Sequence, residues 1–307
     1  MNKIKNVAIL GAGAIGAYFA SRFFDSPGFS TILLARGERL ARLNNHGLVI
    51  NQKPYSITTV DPREVAVPMD LVVVALKHQH LEQALQHLDN LVGESTIFIS
   101  MMNGLESEEY IGSRYGMDKV LYAIVMSLDG QREGNTITYS NPGTHYFGEP
   151  ENSVLSDNVR RVQDAFDRAG IYHKTPKDMT RMMWWKFMIN VGINQASAVL
   201  RAPYRVFQQS KDAQQLKESL MEEVIALAQA KGVNLTRKDI DDWYPILDTV
   251  APEGKTSMLQ DMESGRKTEV EIFAGTAVRM GAELGIPTPV NRAMLHIIRV
   301  LEQSKNQ

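Results

Sequence analysis

Lys186, Asn190 and Asn194 stand at i, i+4 and i+8 in the segment Met182-Met183-Trp184-Trp185-Lys186-Phe187-Met188-Ile189-Asn190-Val191-Gly192-Ile193-Asn194. On a helix that spacing puts one ammonium and two carboxamides in a row on one face. The other residues are apolar almost all round, so the helix is expected to be buried and its polar row to be costly unless something satisfies it. A small polar substrate would do so, because an ammonium can protonate or stabilise an oxygen that gains negative charge and carboxamides can donate to a carboxylate or hydroxyl. The same residues also fit an asparagine-bridged internal network with a snorkelling lysine. A second polar set lies in Ser257-Met258-Leu259-Gln260-Asp261-Met262-Glu263-Ser264-Gly265-Arg266-Lys267-Thr268-Glu269. One straight helix would hold Ser257 and Glu269 about 18 Å apart, too far to share a small ligand. A break at Ser264-Gly265, where glycine permits it, removes that objection. On its residues alone, Glu269 reads as an exposed charge.

Gly11-Ala12-Gly13-Ala14-Ile15-Gly16 directly follows the apolar run Val7-Ala8-Ile9-Leu10 and opens a helix-like segment, the context a dinucleotide fingerprint requires. One glycine makes the tight turn, one lets backbone approach a pyrophosphate, and one lets helix pack on strand, while the helix N-terminus offers N–H groups to phosphate. About twenty residues on, the second run ends in Ala35-Arg36-Gly37 instead of an acid. An acid there accepts from the ribose 2′-hydroxyl of NAD, whereas Arg36 presents a fork of donors to the 2′-phosphate of NADP. Lys77 and Asn103 follow two further apolar runs, at strand ends where ligands of doubly wound sheets bind; each is also a plausible cap or loop residue.

The elements that must position these residues fall into two textures. In the first half, Thr31–Ala35, Leu71–Leu76 and Thr96–Ile99 are short runs apolar on both faces that alternate with helix-like segments, which predicts a Rossmann-type, doubly wound parallel α/β sheet. Leu48–Ile50 and Tyr55–Val60, flanking Lys53-Pro54, read as a hairpin, and Thr136–Tyr139 with His145–Gly148 as antiparallel edge strands joined through Asn141-Pro142-Gly143. After about Asp178 helical periodicity takes over, with segments at Asp178–Val199, Lys211–Lys231, Arg237–Val250, Ser257–Leu284 broken at Ser264-Gly265, and Asn291–Gln303. The expected domains are 1–177, binding the dinucleotide, and an all-helical 178–307.

Composition narrows the function classes. Lys and Arg number 33 against 35 Asp and Glu, a net charge of −2, and no basic run exceeds pairs such as Arg160-Arg161, so nucleic acid and anionic membrane are not expected partners. The absence of cysteine excludes disulfides, thiol nucleophiles and Cys-ligated metal, and fits a reducing compartment. The uncharged stretch from Asn6 to Ser21 mimics an export signal, but its three glycines break the apolar block such a signal needs. No apolar stretch is long enough to span a membrane. His78 and His80 would point to different sides of a helix, so no metal is expected, and Gly-x-Ser-x-Gly is absent.

Taken together the residues resemble the ketopantoate reductases, NADP-dependent 2-dehydropantoate 2-reductases. The resemblance runs through Gly11–Gly16, Arg36, Lys77, Met102-Asn103-Gly104, Trp185-Lys186-Phe187 with Asn190 and Asn194, Ser257–Asp261 with Gly265 and Thr268-Glu269, and Gly285–Asn291. It implies a cytoplasmic enzyme that reduces ketopantoate to pantoate for pantothenate and coenzyme A synthesis. Its active site would lie in the cleft between a Rossmann and a helical domain, the latter also serving homodimer formation. By position, Lys186 would be the general acid, Glu269 would contact Lys186 or the substrate hydroxyl, Asn190, Asn194 and Ser257 would bind substrate, and Lys77 and Asn103 would face the cofactor. Ala202-Pro203-Tyr204 stands where the family usually has an Asn-Gly pair, and Gly254 where it has Asn. The substrate therefore stays open between ketopantoate and another branched or aromatic 2-oxo acid. A non-catalytic NADP sensor is the alternative of another class, and the intact Lys–Asn–Asn row argues against it.

Overall fold

The computed structural model describes residues 2–304; Met1 and residues 305–307, which the sequence reading assigns to the outer ends of the two domains, lie outside the described residues. The chain divides into two compact units, one up to Thr180 and one from Arg181 onward.

The first unit contains, in order, β1 (Asn6–Leu10), α1 (Ala14–Asp25), β2 (Ser30–Leu34), α2 (Gly37–His46), β3 (Leu48–Ile50), β4 (Lys53–Tyr55), β5 (Thr59–Val60), β6 (Leu71–Val74), α3 (Leu81–Leu85), β7 (Ile97–Ser100), α4 (Ser107–Tyr115), β8 (Val120–Met126), β9 (Gln131–Glu133), β10 (Thr136–Thr138), β11 (Thr144–Gly148), α5 (Asp157–Arg168) and β12 (His173–Lys174). Eight strands form one sheet in the order β12-β11-β8-β7-β6-β1-β2-β5. All neighbours are parallel except β8 and β11. Alternation of side chains across the pleat explains why the strand runs are apolar throughout: Val7, Ile9, Leu71, Val73, Ile97 and Ile99 enter one core, and Ala8, Leu10, Val72, Val74 and Phe98 the other. Connections leave β1 toward β2 on one side and reach β6 on the other, so the strand order reverses where β1 meets β6. That is the point at which doubly wound sheets take ligands.

Two sequence expectations are corrected. The hairpin pairs β3 with β4 and turns at Asn51-Gln52, with φ of 46° and 68°, instead of at Lys53-Pro54. A two-residue turn of this kind needs positive φ, which proline's ring forbids. Pro54 stands opposite Val49 in the ladder, and Thr59–Val60 leaves the hairpin to pair with β2. Thr136–Tyr139 and His145–Gly148 do not pair with each other: β10 joins β3 and β9 in a four-stranded sheet, while β11 joins β8 in the large one. The Asp129 carboxylate accepts from the Ser140 and Asn141 amides (2.9 and 2.8 Å), diverting the chain between them.

The second unit is helical: α6 (Met179–Leu200, whose first turn contains the division between the units), α7 (Tyr204–Gln209), α8 (Lys211–Ala230), α9 (Arg237–Thr249), α10 (Ser257–Glu263), a π-helical turn at Glu271–Gly275, α11 (Thr276–Leu284) and α12 (Pro289–Gln303). Side-chain caps define the starts, with Ser210 accepting from the Ala213 amide and a capping box between Thr236 and Asp239. Helix α8 approaches α6 at Gly192, where an added Cβ would stand 2.6 Å from Met221 Cγ and 3.1 Å from the Lys217 carbonyl.

Lys217 itself is fully buried, and its Nζ makes no hydrogen bond among the described residues. It lies 3.6 Å from the ring centre of Tyr244 and 4.8 Å from that of Trp243. Such contacts only partly replace water around a cation. Burial lowers the amine from 10.5 to about 8, with Glu218 and Asp248 opposing and Arg237 reinforcing the shift. Above pH 8 the unfolded chain holds this proton more firmly than the folded chain does, so the amine's contribution to stability improves as pH rises toward 10.5. Lys217→Met should therefore melt higher than the unsubstituted protein near neutral pH, with the advantage shrinking at about pH 9.5. Melting curves of both proteins at the two pH values check this; an advantage that does not change with pH contradicts it.

Candidate active site

In the first unit the glycine loop sits at the reversal of strand order, and its three glycines meet three different surroundings. Gly11 has φ of 108°, and a Cβ there would stand 2.4 Å from the carbonyl oxygen of Ala75, just past β6. A Cβ on Gly16 would stand 1.8 Å from the Gly11 carbonyl oxygen, so only hydrogen lets α1 close onto the loop. At Gly13 nothing lies within 4 Å of the added atom. Gly13 is the N-cap of α1 and supplies no side chain to its amides. The turn and the close packing thus belong to Gly11 and Gly16, while Gly13, beside Ala12, Ala14 and Ile15, keeps an open face over a helix N-terminus. That arrangement could hold a diphosphate.

Arg36 is the N-cap of α2, immediately beyond β2. Strand β5 runs parallel beside β2, so Asp61 emerges next to Arg36, with Arg36 Nε 3.6 Å from Asp61 Oδ2. Arg63 grips the same carboxylate through Nε (3.0 Å) and Nη2 (2.7 Å). The Arg63 hydrogen bond is the main cause that holds the Asp61 carboxyl at about 2, with Arg36 adding to it. Neither Asp61 nor Arg63 stands out in the sequence, because nothing local shows that Thr59–Val60 pairs with β2. Asp61 before Pro62 was at most legible as a cap. Lys77 caps a short 3₁₀ turn after β6, and Asn103 lies in the loop after β7; both are half-buried. All these positions lie at the carboxyl ends of neighbouring strands.

In the second unit the middle of α6 is sealed, and the polar row lies within it. Phe187, Met188, Val191 and Ile193 are at most 2% exposed, while Lys186 and Asn194 keep 7% and Asn190 is half-buried. Neither asparagine carboxamide hydrogen-bonds to another described residue. The internal network is built by the next residue instead: Gln195 Nε2 donates to the Val191 carbonyl (2.8 Å) and Asn291 Oδ1 (3.1 Å), and Asn291 Nδ2 donates to Glu223 Oε2 (2.7 Å). The two carboxamides are consequently available to something other than the core.

Ser257 opens α10 and is exposed, behind Thr256, which caps that helix by accepting from the Leu259 amide. The chain does break after α10, with Gly265 at φ 67°. Helix resumes from Val270, so half-buried Glu269 lies at the start of a new helix, its carbonyl accepting from the amides of Ile272 and Phe273. The straight-helix spacing of Ser257 and Glu269 therefore does not apply. His78 and His80 lie in the 3₁₀ turn after Lys77, and among the described residues no His, Asp and Glu cluster could hold a metal ion. An open groove of about 580 Å³ lined by Glu222, Ile225, Ala226, Gln229 and Arg237 includes none of the residues above.

Two family models match the chain: "Ketopantoate reductase PanE/ApbA" over residues 7–152 and "Ketopantoate reductase PanE/ApbA C terminal" over residues 178–302. A 2-dehydropantoate 2-reductase of Archaeoglobus fulgidus is 26% identical over 305 residues, covering 98% of this chain and 99% of that protein. Among solved structures, 2-dehydropantoate 2-reductase of Geobacter metallireducens is 26% identical with TM-score 0.85, covering 96% of this chain and 99% of that one. D-mandelate dehydrogenase, solved with NADH and anilino(oxo)acetate, shares the fold with TM-score 0.89 at 20% identity, covering 98% of this chain and all of that one.

The glycine surroundings give a paired test. Gly16→Ala should cost about 2 kcal/mol or more through the clash with Gly11. Gly13→Ala should melt normally yet weaken dinucleotide binding. Melting curves and a titration with reduced dinucleotide decide, and a Gly13→Ala protein that binds normally removes the loop from the cofactor site.

Proposed function

Because the chain belongs to the ketopantoate reductase family, a family of oxidoreductases, we propose that it reduces the C2 carbonyl of a branched 2-oxo acid, ketopantoate first, with NADPH. The observation that carries this reading is the Lys186–Asn190–Asn194 row in the sealed, otherwise apolar middle of α6, with neither asparagine carboxamide hydrogen-bonded to another described residue. The first unit binds the dinucleotide: α1's open N-terminus takes the diphosphate, Arg36 the 2′-phosphate, and Lys77 and Asn103 contact the cofactor from neighbouring strand ends. NADPH, when bound, would supply a hydride from nicotinamide C4.

The chain's own groups do the rest. Lys186 delivers the proton that the carbonyl oxygen needs to become a hydroxyl, and its charge stabilises the oxygen as negative charge develops. Asn190 and Asn194 donate to the carboxylate or hydroxyl side of the substrate, and Ser257 adds a further polar contact. Glu269 contacts Lys186 or the new hydroxyl.

The substrate side carries a specific difference. Tyr204 N donates to the Gly254 carbonyl (3.1 Å), and a Cβ on Gly254 would stand 3.2 Å from the Tyr204 ring. The two positions that depart from the family pattern are therefore neighbours, an aromatic ring lying against a residue with no side chain. With the fold shared by D-mandelate dehydrogenase, this puts an aromatic 2-oxo acid beside ketopantoate as the second candidate.

Following NADPH absorbance with ketopantoate, phenylglyoxylate and other 2-oxo acids tests the proposal. Turnover ranks the substrates, and no oxidation with any of them contradicts it. Asn190→Ala and Asn194→Ala should leave the melting temperature nearly unmoved, because no protein partner is orphaned. Each should raise KM for the oxo acid about tenfold with NADPH binding unchanged. A large melting loss with unchanged KM would return the row to internal packing.

A further inference from the structure

We propose that Arg63 is a second cation for the adenosine 2′-phosphate, acting beside Arg36 and fixing the preference for NADPH over NADH. The proposal rests on the cofactor reading above and adds a residue to it. Arg36 and Arg63 converge on one carboxylate oxygen, Asp61 Oδ2, from the ends of neighbouring segments beyond β2 and β5. One carboxylate cannot balance two guanidinium groups, so Arg36, Arg63 and Asp61 together carry one net positive charge, with the Glu64 carboxylate the further charge acting on Arg63, at the strand end where the ribose 2′ substituent is expected. Asp61 is buried, with 7% of its side chain exposed, whereas Arg36 keeps 36% and Arg63 58%. The anion thus lies beneath and the cations face outward.

The geometry also leaves donors to spare. Arg63 spends Nε and Nη2 on Asp61, and its Nη1 makes no hydrogen bond with another described residue. The grip fixes the plane of the guanidinium, and a second contact runs through its backbone, as the Arg63 amide also donates to Asp61 Oδ1 (3.0 Å). A pre-oriented fork loses little entropy when it takes a phosphate, and phosphate geometry suits such forks. Arg36 is held more loosely: its Nε is sealed from solvent, makes no hydrogen bond, and meets Asp61 only at charge-contact distance. Arg63 is therefore the better ordered of the two cations.

The test is the affinity of the full-length protein for NADPH and for NADH, measured by titration for the unsubstituted chain, Arg36→Gln, Arg63→Gln and Arg63→Lys. Arg63→Gln also takes the main partner from the buried Asp61 carboxylate, so it should melt lower than the unsubstituted protein, and all titrations are made well below the lowest melting temperature. Arg63→Gln is expected to cut the NADPH preference about tenfold or more with NADH affinity little changed, and Arg63→Lys to recover part of it. A preference lost in Arg36→Gln but kept in Arg63→Gln overturns this inference and leaves the NADPH reading standing. Equal affinity of the unsubstituted protein for both dinucleotides overturns that reading and this inference with it.

Discussion

A lysine and an asparagine placed on a helix that is sealed on almost every other side lose water, and the loss has to be offset by what they face. Much of the second unit follows from the rotation at which α6 is held. Gly192 and Gln195 lie roughly opposite Asn190 on the helical wheel at about 100° per residue. Gly192 lets α8 approach to within side-chain contact of Met221. Gln195 ties α6 to Asn291, the third residue of α12, and through it to Glu223 of α8. Those contacts fix one side of α6 against α8 and α12, and Lys186, Asn190 and Asn194 lie on the other, Asn190 half-buried and the other two nearly sealed.

The first unit solves a different problem, that of bringing backbone close to a large anion. Its solution is crowding in two places and emptiness in a third. Gly11 and Gly16 are pressed against Ala75 and each other, while Gly13 faces open space at the N-terminus of α1. The same sheet brings together charges that are distant in sequence, because parallel pairing of β2 with β5 sets Arg36 beside Asp61 and hence beside Arg63.

What could be read from the sequence was what depends on local pattern. Runs such as Leu71–Val74 are apolar on both faces because two cores flank the sheet, and that alone implies a doubly wound α/β fold. The break after α10 was legible from Gly265, and the row on α6 from its spacing. Nonlocal pairing was not legible. The β3–β4 turn went to Asn51-Gln52 because it needs positive φ, and β10 and β11 entered different sheets because Asp129 captures the loop between them. Nor could spacing tell that Gln195, one residue past the row, is the amide that serves the core. The placement of the Asp61–Arg63 pair beside Arg36 depends on a two-residue strand finding β2, a contact that no local signal announces.

The central claim is that the Lys186 ammonium does chemistry and is not merely tolerated in a buried helix. Lys186→Met tests it most directly, since methionine keeps much of the aliphatic stem and removes only the charge and the proton. The expected result is a folded variant that binds NADPH as the unsubstituted protein does, with a fall of ~10²-fold or more in the single-turnover rate of NADPH oxidation at saturating 2-oxo acid. A variant that folds and turns over at close to the original rate would contradict it.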